Sequence, residues 1–200
     1  MKNRAFDSFS IRLLPGWQNS GTAHWQSLWE AQHGFVRVQQ HDWMCPLRGD
    51  WLIQLEEAVL AAPRPVVLVA HSLGCIQTAA WASVSQNTQR VCAALLVAPG
   101  DPEQPDLAPQ LPTWQPVALQ RLPFASVLVA SHNDPYCRFD RAQAFAHAWG
   151  SRLHDLGDAG HINAESGLGD WPQGLELLTD LVASVGSVPA PASPTPSPAA

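Results

Sequence analysis

The stretch Val66-Val67-Leu68-Val69-Ala70-His71-Ser72-Leu73-Gly74 decides the fold. Its apolar run predicts a strand buried on both faces, and the serine between small residues predicts a sharp turn from that strand into a helix. Such a turn lifts a serine hydroxyl to the rim of a parallel sheet and holds it in a strained backbone. Ala70 stands where glycine is usual, a mild replacement where the residues two before and two after the serine crowd each other. A serine here also suits plain capping of a helix N-terminus, so the flanking chain must discriminate between the two readings.

Outward from this turn, short apolar runs alternate with amphipathic stretches, the pattern of β-α-β units. Strands are predicted at 11–14, 35–39, 66–70, 93–98, 126–131 and 152–156, each followed by a helix except the fourth. The second helix is expected to start at Asp50 as N-cap, with Leu52, Leu55 and Val59 on one face. The last presents Trp171, Leu175, Leu178, Val182 and Val185 at three-to-four spacing. These stripes are core-packing faces. The expected architecture is a three-layer α/β sandwich around a mainly parallel six-stranded sheet. It forms one domain over residues 1–186, with a disordered Pro/Ala/Ser-rich tail at 187–200. Residues 99–123 hold seven prolines without periodicity. The segment is too long for an ordinary connection, so it reads as a lid or an excursion over the sheet's carboxyl edge.

Composition narrows the function classes. The 200 residues are 46% hydrophobic and 14% charged, with a formal charge of −6. Eleven scattered Lys and Arg make no basic patch, which argues against nucleic acid or an anionic membrane as partner. The apolar stretch 11–14 is too short for a signal-peptide core, and no run approaches a membrane span, so the expected location is cytoplasmic. Cys45, Cys75, Cys92 and Cys137 lack Cys-x-x-Cys spacing; neither a metal site nor a cofactor is expected.

A serine hydroxyl needs a base to take its proton, an acid to orient that base, and donors for an oxyanion. Among eight histidines, His161 in Asp158-Ala159-Gly160-His161-Ile162-Asn163 lies in a flexible loop after the last strand. His147 falls in a helix pattern and His154 in a strand. His71 adjoins Ser72 but should point elsewhere, while His24 and His41 read as supporting, core or exposed residues. Asp134, in Ser131-His132-Asn133-Asp134-Pro135-Tyr136, follows the penultimate strand. An Asp-Pro pair also simply starts turns, and Asp140, Asp155 and Asp158 are alternative acids. The order Ser72, Asp134, His161 is that of the α/β-hydrolases. The Leu73 N–H opens the helix after the turn, and the Trp17 N–H sits in Pro15-Gly16-Trp17-Gln18 after the first strand; together they could form an oxyanion hole. Gly16 would let that backbone approach a substrate, and Trp17, Trp25 and Trp114 could wall an apolar acyl pocket.

Leu14-Pro15-Gly16-Trp17-Gln18-Asn19-Ser20 with His24-Trp25, Ala70-His71-Ser72-Leu73-Gly74, Asn133-Asp134-Pro135-Tyr136, and Gly160-His161-Ile162-Asn163 through Gly167-Leu168-Gly169-Asp170-Trp171-Pro172 follow one another in this order. The set resembles the small serine hydrolases that include retinoblastoma-binding protein 9, over about residues 10–185. The resemblance implies a minimal α/β-hydrolase without the two leading antiparallel strands or a large cap, its first strand at the sheet centre. It also implies a triad of Ser72, Asp134 and His161. A pocket-protein motif, Leu-x-Cys-x-Glu, is associated with the human member of that family. Leu73-Gly74-Cys75-Ile76-Gln77 departs from it at the last position, so that function is not carried over. The expected activity is cleavage of a small ester or amide through an acyl-enzyme on Ser72, without a cofactor. A non-catalytic interaction module on the same fold, or acyl transfer to another acceptor by the same triad, are the alternatives.

Overall fold

Two central strands, Val66–His71 (β3) and Val91–Val97 (β4), are almost wholly apolar because helices cover both faces of the sheet. The computed structural model describes residues 4–186, so the expectation for 187–200 lies outside the described residues. The other strands are Ser10–Leu14 (β1), Val36–Arg37 (β2), Ala125–Ala130 (β5) and Arg152–Asp155 (β6). All pair in parallel, in the order β2-β1-β3-β4-β5-β6. Side chains alternate between two cores. Leu68, Ala70, Ala94 and Leu96 face helices Arg48–Leu60 (α2), Leu73–Ala82 (α3) and Phe139–Trp149 (α4), whereas Val67, Val69, Leu95 and Val97 face Trp25–His33 (α1) and Pro172–Val185 (α5). This is the expected three-layer sandwich, with no cap domain among the described residues.

Three expectations need correction. β1 is not central: it lies one strand in from the β2 edge. Helix α2 begins at Arg48, and Leu47 occupies its N-cap without a side-chain bond. Asp50 sits in the first turn, and Trp51, Leu55 and Val59 are the buried face. β2, expected over 35–39, is two residues long and pairs on one side only, with Val36 half-exposed and the Arg37 side chain held against Glu30, Ser20 and Ser27.

The position of β1 decides where the sheet can hold a ligand. The chain runs from β1 outward to β2, then returns to β3 on the other side of β1. The loops leaving β1 and β3 therefore diverge to opposite faces and open a crevice between them, where open α/β sheets bind ligands.

Candidate active site

Ser72 closes β3 with φ 55° and ψ −123°, in the left-handed region that non-glycine residues avoid, at a cost of about 1–3 kcal/mol. Its hydroxyl makes no capping bond to α3. Plain helix capping therefore does not account for the serine. The turn is fixed from outside, since Ser72 N–H donates to Val97 O at 3.0 Å. Gly74 is required by strand β1: a Cβ there would lie 2.3 Å from the Leu14 carbonyl oxygen. The close approach of β1 demands this glycine.

Beside the serine, Gly16 has its nearest neighbours in Ser72 Cβ, Ser72 Oγ and Leu73 N, at 2.6, 3.0 and 3.2 Å from a Cβ built on it. The turn holding it is set by Gln18 N–H to Trp43 O and Asn19 N–H to Gly16 O, with Gln18 and Asn19 at positive φ. The Trp17 and Leu73 N–H groups donate to no acceptor among the described residues. Two unpaired donors thus flank the hydroxyl.

His161 follows β6 and is 9% exposed at its side chain. Its Nδ1 lies 2.9 Å from both oxygens of Asp134, which is 3% exposed. Asp134 Oδ1 also accepts the Tyr136 N–H at 2.9 Å, so the aspartate starts its turn and holds the histidine at once. The two loops are laced together by Ser131 Oγ, which accepts from Ala159 N–H, and Asn133 Oδ1, which accepts from Gly160 N–H. Two of the three alternative acids are engaged elsewhere, Asp140 with Arg138 and Asp155 with His132 and the Gly157 N–H, and it is Asp134, not Asp158, that meets His161. His147 is exposed on α4 and His154 lies in β6.

A cavity of about 340 Å³ joins these parts, lined by Gly16, Trp17, Ser72, Leu73, Gly100 and His161 among others. Leu107, Leu111 and Tyr136 add an apolar wall. Gln18, Asn19, Asn163 and Glu165 add a polar one, and no Lys or Arg contributes. Residues 99–123 supply Gly100, whose Cβ would come 3.2 Å from Ser72 Oγ, together with both leucines. Trp25 and Trp114 are not in the wall. Both are buried in the core, their indole N–H groups donating to Ile162 O and Pro46 O. Trp25 instead props the His161 loop.

Sequence reasoning missed the Gly100, Leu107 and Leu111 wall, because an aperiodic proline-rich segment carries no signal of which residues face inward. It also underrated His71. The ring turns to the His161 backbone, where Nε2–H donates to the carbonyl at 2.9 Å. Burial holds His71 well below the usual imidazole range, with repulsion from His161 and His24 adding to it.

The sequence profile of the serine hydrolase family matches residues 11–180. The chain belongs to the serine hydrolase family. A structure described as a YdeN-like hydrolase of Pectobacterium atrosepticum is 31% identical, with 90% of this chain and 94% of that one covered, at TM-score 0.80. The ydeN gene product of Bacillus subtilis, 21% identical over 87% and 98% of the two chains, superposes at 0.71. Esterase 2 of Thermogutta terrifontis, 17% identical over 94% and 88%, superposes at 0.65. These last two likenesses are of fold. No curated protein matches the chain at a significant level. Among the described residues no helix is long and apolar enough to cross a membrane, and no group of three or more His, Cys, Asp or Glu could hold a metal ion.

Proposed function

We propose that this serine hydrolase cleaves an ester or amide of a small substrate through an acyl-enzyme on Ser72. The observation that carries the reading is His161, held from behind by the buried Asp134 carboxylate, on the wall of the cavity that Ser72 also lines from its strained turn. His161 takes the Ser72 proton at Nε2, and the alkoxide adds to the substrate carbonyl. Asp134 holds Nδ1–H, fixing the tautomer and stabilising the imidazolium as it forms. The N–H groups of Trp17 and Leu73 receive the oxyanion, each worth about 3–4 kcal/mol in the transition state. Collapse expels the alcohol or amine, which takes its proton from His161. Water, deprotonated by His161, then cleaves the acyl-enzyme and restores Ser72.

The four motifs shared in order with the small serine hydrolases that include retinoblastoma-binding protein 9 support the same residue roles. The pocket-protein motif of that group finds no counterpart surface, since Leu73, Cys75 and Gln77 are buried in α3.

Labelling with a fluorophosphonate tests the reading. The parent protein is expected to label, and Ser72→Ala and His161→Ala are expected not to. Equal labelling of the parent and Ser72→Ala would refute it.

A further inference from the structure

Among the described residues, His24 is the one member of the cavity wall with a buried side-chain nitrogen or oxygen that nothing satisfies. It caps α1, its Nδ1 accepting the Gln26 N–H at 3.1 Å, and it is 5% exposed. A backbone N–H can only donate, so Nδ1 carries the lone pair and the ring proton of the neutral imidazole is on Nε2. That Nε2–H has no partner among the described residues, although buried polar atoms are nearly always paired. His24 lines the same cavity as Ser72. Its ring packs 4.7 Å from that of His71, the residue before the nucleophile, and His71 packs 4.8 Å from His161.

We propose that His24 Nε2–H donates to a neutral oxygen in the acyl part of the substrate, so that the preferred substrates are esters or amides of an oxygenated acyl chain rather than of a plain alkyl one. The inference rests on Ser72 being the nucleophile of this cavity. Two arguments narrow the ligand chemistry. His24 is buried against His71, the residue before the nucleophile, and so lies with the portion retained on the serine rather than with the leaving group that departs to solvent. A carboxylate is disfavoured because the wall offers no cation: no Lys or Arg lines it, and Glu165 does. Burial, together with the charges of His161 and Arg37, lowers the His24 pKa to about 4, so the ring is a neutral donor at neutral pH. The acceptor is therefore an ether, hydroxyl or ketone oxygen. An alkyl chain in that place leaves the buried donor unpaired, which is how a polar pocket rejects an analogue lacking its acceptor.

The test uses three p-nitrophenyl esters of equal chain length: the pentanoate, the ethoxyacetate and the 3-methoxypropionate. Each kcat/KM is divided by the ester's own rate with hydroxide, which removes intrinsic reactivity. One oxygenated ester is expected to exceed the pentanoate by about tenfold. In His24→Asn, which keeps a capping oxygen but withdraws the distal donor, that ratio is expected to fall to near one. His24→Ser, also a capping residue, serves if the asparagine variant does not fold. No preference for either oxygenated ester in the parent would overturn the inference, as would a preference that survives in the His24 variant. Failure of Ser72 to label with fluorophosphonate would instead overturn the proposed function.

Discussion

Gly16 and Ser72 touch across the crevice between β1 and β3: a Cβ on Gly16 would sit 2.6 Å from Ser72 Cβ. The atom it meets is bonded to the backbone of a rigid turn, not the free end of a long side chain, so it cannot give way cheaply. Gly16 is not held at positive φ, and the demand is one of space alone. Gly16→Ala is therefore expected to destabilise the fold by about 1–3 kcal/mol, the usual range for overpacking. It should also lower kcat by about a hundredfold, by displacing the oxyanion donors. Urea denaturation and ester hydrolysis read the two effects; a stable variant with parental turnover would show that the loop after β1 has no part in the chemistry.

Gly74 sets two ordinary effects against each other. Replacing a glycine inside a helix by alanine normally gains about 1 kcal/mol. Here the new Cβ would meet Leu14 O at 2.3 Å and Leu14 C at 3.0 Å, both backbone atoms of a buried strand. The clash should win. Gly74→Ala is expected to lower the urea midpoint without changing the slope, and a raised midpoint would contradict the contact.

The elements most plainly written in the sequence are those whose residues answer to one constraint at a time. β3 and β4 are apolar because they are buried on both faces, and Ser72, Asp134 and His161 each follow a strand in a short loop with a distinctive spelling. The place of β1 was not legible, since strand order depends on which way each crossover packs and no single stretch encodes it. Trp25 and Trp114 misled for a related reason. An indole suits a pocket wall and a core equally well, and only their long-range bonds to Ile162 and Pro46 place them in the core. His24 read as a supporting, core or exposed residue, and its capping of α1 and its unpaired nitrogen emerge only when every neighbour is in place.

Asp134 carries two duties that substitution can separate. Asparagine keeps an oxygen for the Tyr136 N–H, so the turn survives, but it removes the charge and can present an N–H to His161, reversing the tautomer. Asp134→Asn is expected to retain its Tm within about 2 °C while kcat falls by roughly 10³–10⁴. Asp134→Ala loses both functions and should melt lower. Parental activity in the asparagine variant would remove Asp134 from the mechanism.

The segment 99–123 is tied to α4 at both ends: Trp149 Nε1–H donates to Ala118 O and Trp149 O accepts the Leu122 N–H, while Arg141 holds the first part. Arg141 pairs with Asp101 at 3.2 Å and with Glu103, and its guanidinium lies 4.4 Å above the Phe145 ring. Glu103 in turn accepts the Val117 N–H at 3.0 Å. Arg141→Met keeps the packing on Phe145 and removes the charge. Because Gly100, Leu107 and Leu111 reach the cavity from this segment, the variant should raise KM by about three- to tenfold with less change in kcat, and should be cut faster by protease between 101 and 117. Unchanged KM and unchanged cleavage would show that the ion pairs are dispensable to the wall.

Stability should depend on pH in a window that carboxylates do not share. His24, at about 4 in the folded protein against 6.5 for an exposed imidazole, binds its proton more readily when unfolded; His71 and His33 are shifted the same way. A lowered imidazole pKa leaves stability intact above about 6.5 and withdraws it as pH falls toward 4, because the unfolded chain takes up the proton first. His24 alone accounts for at most about 3 kcal/mol of that loss. The lowered carboxylates Asp42, Asp140, Asp155 and Glu56 also cost stability in acid, but only as pH passes below their ordinary values of 3.8 and 4.5. Urea midpoints between pH 7 and 5 therefore isolate the histidines. The midpoint is expected to fall over that interval in the parent and to fall less steeply in His24→Asn. A flat parental profile would mean that His24 and His71 reach water more freely than their burial implies.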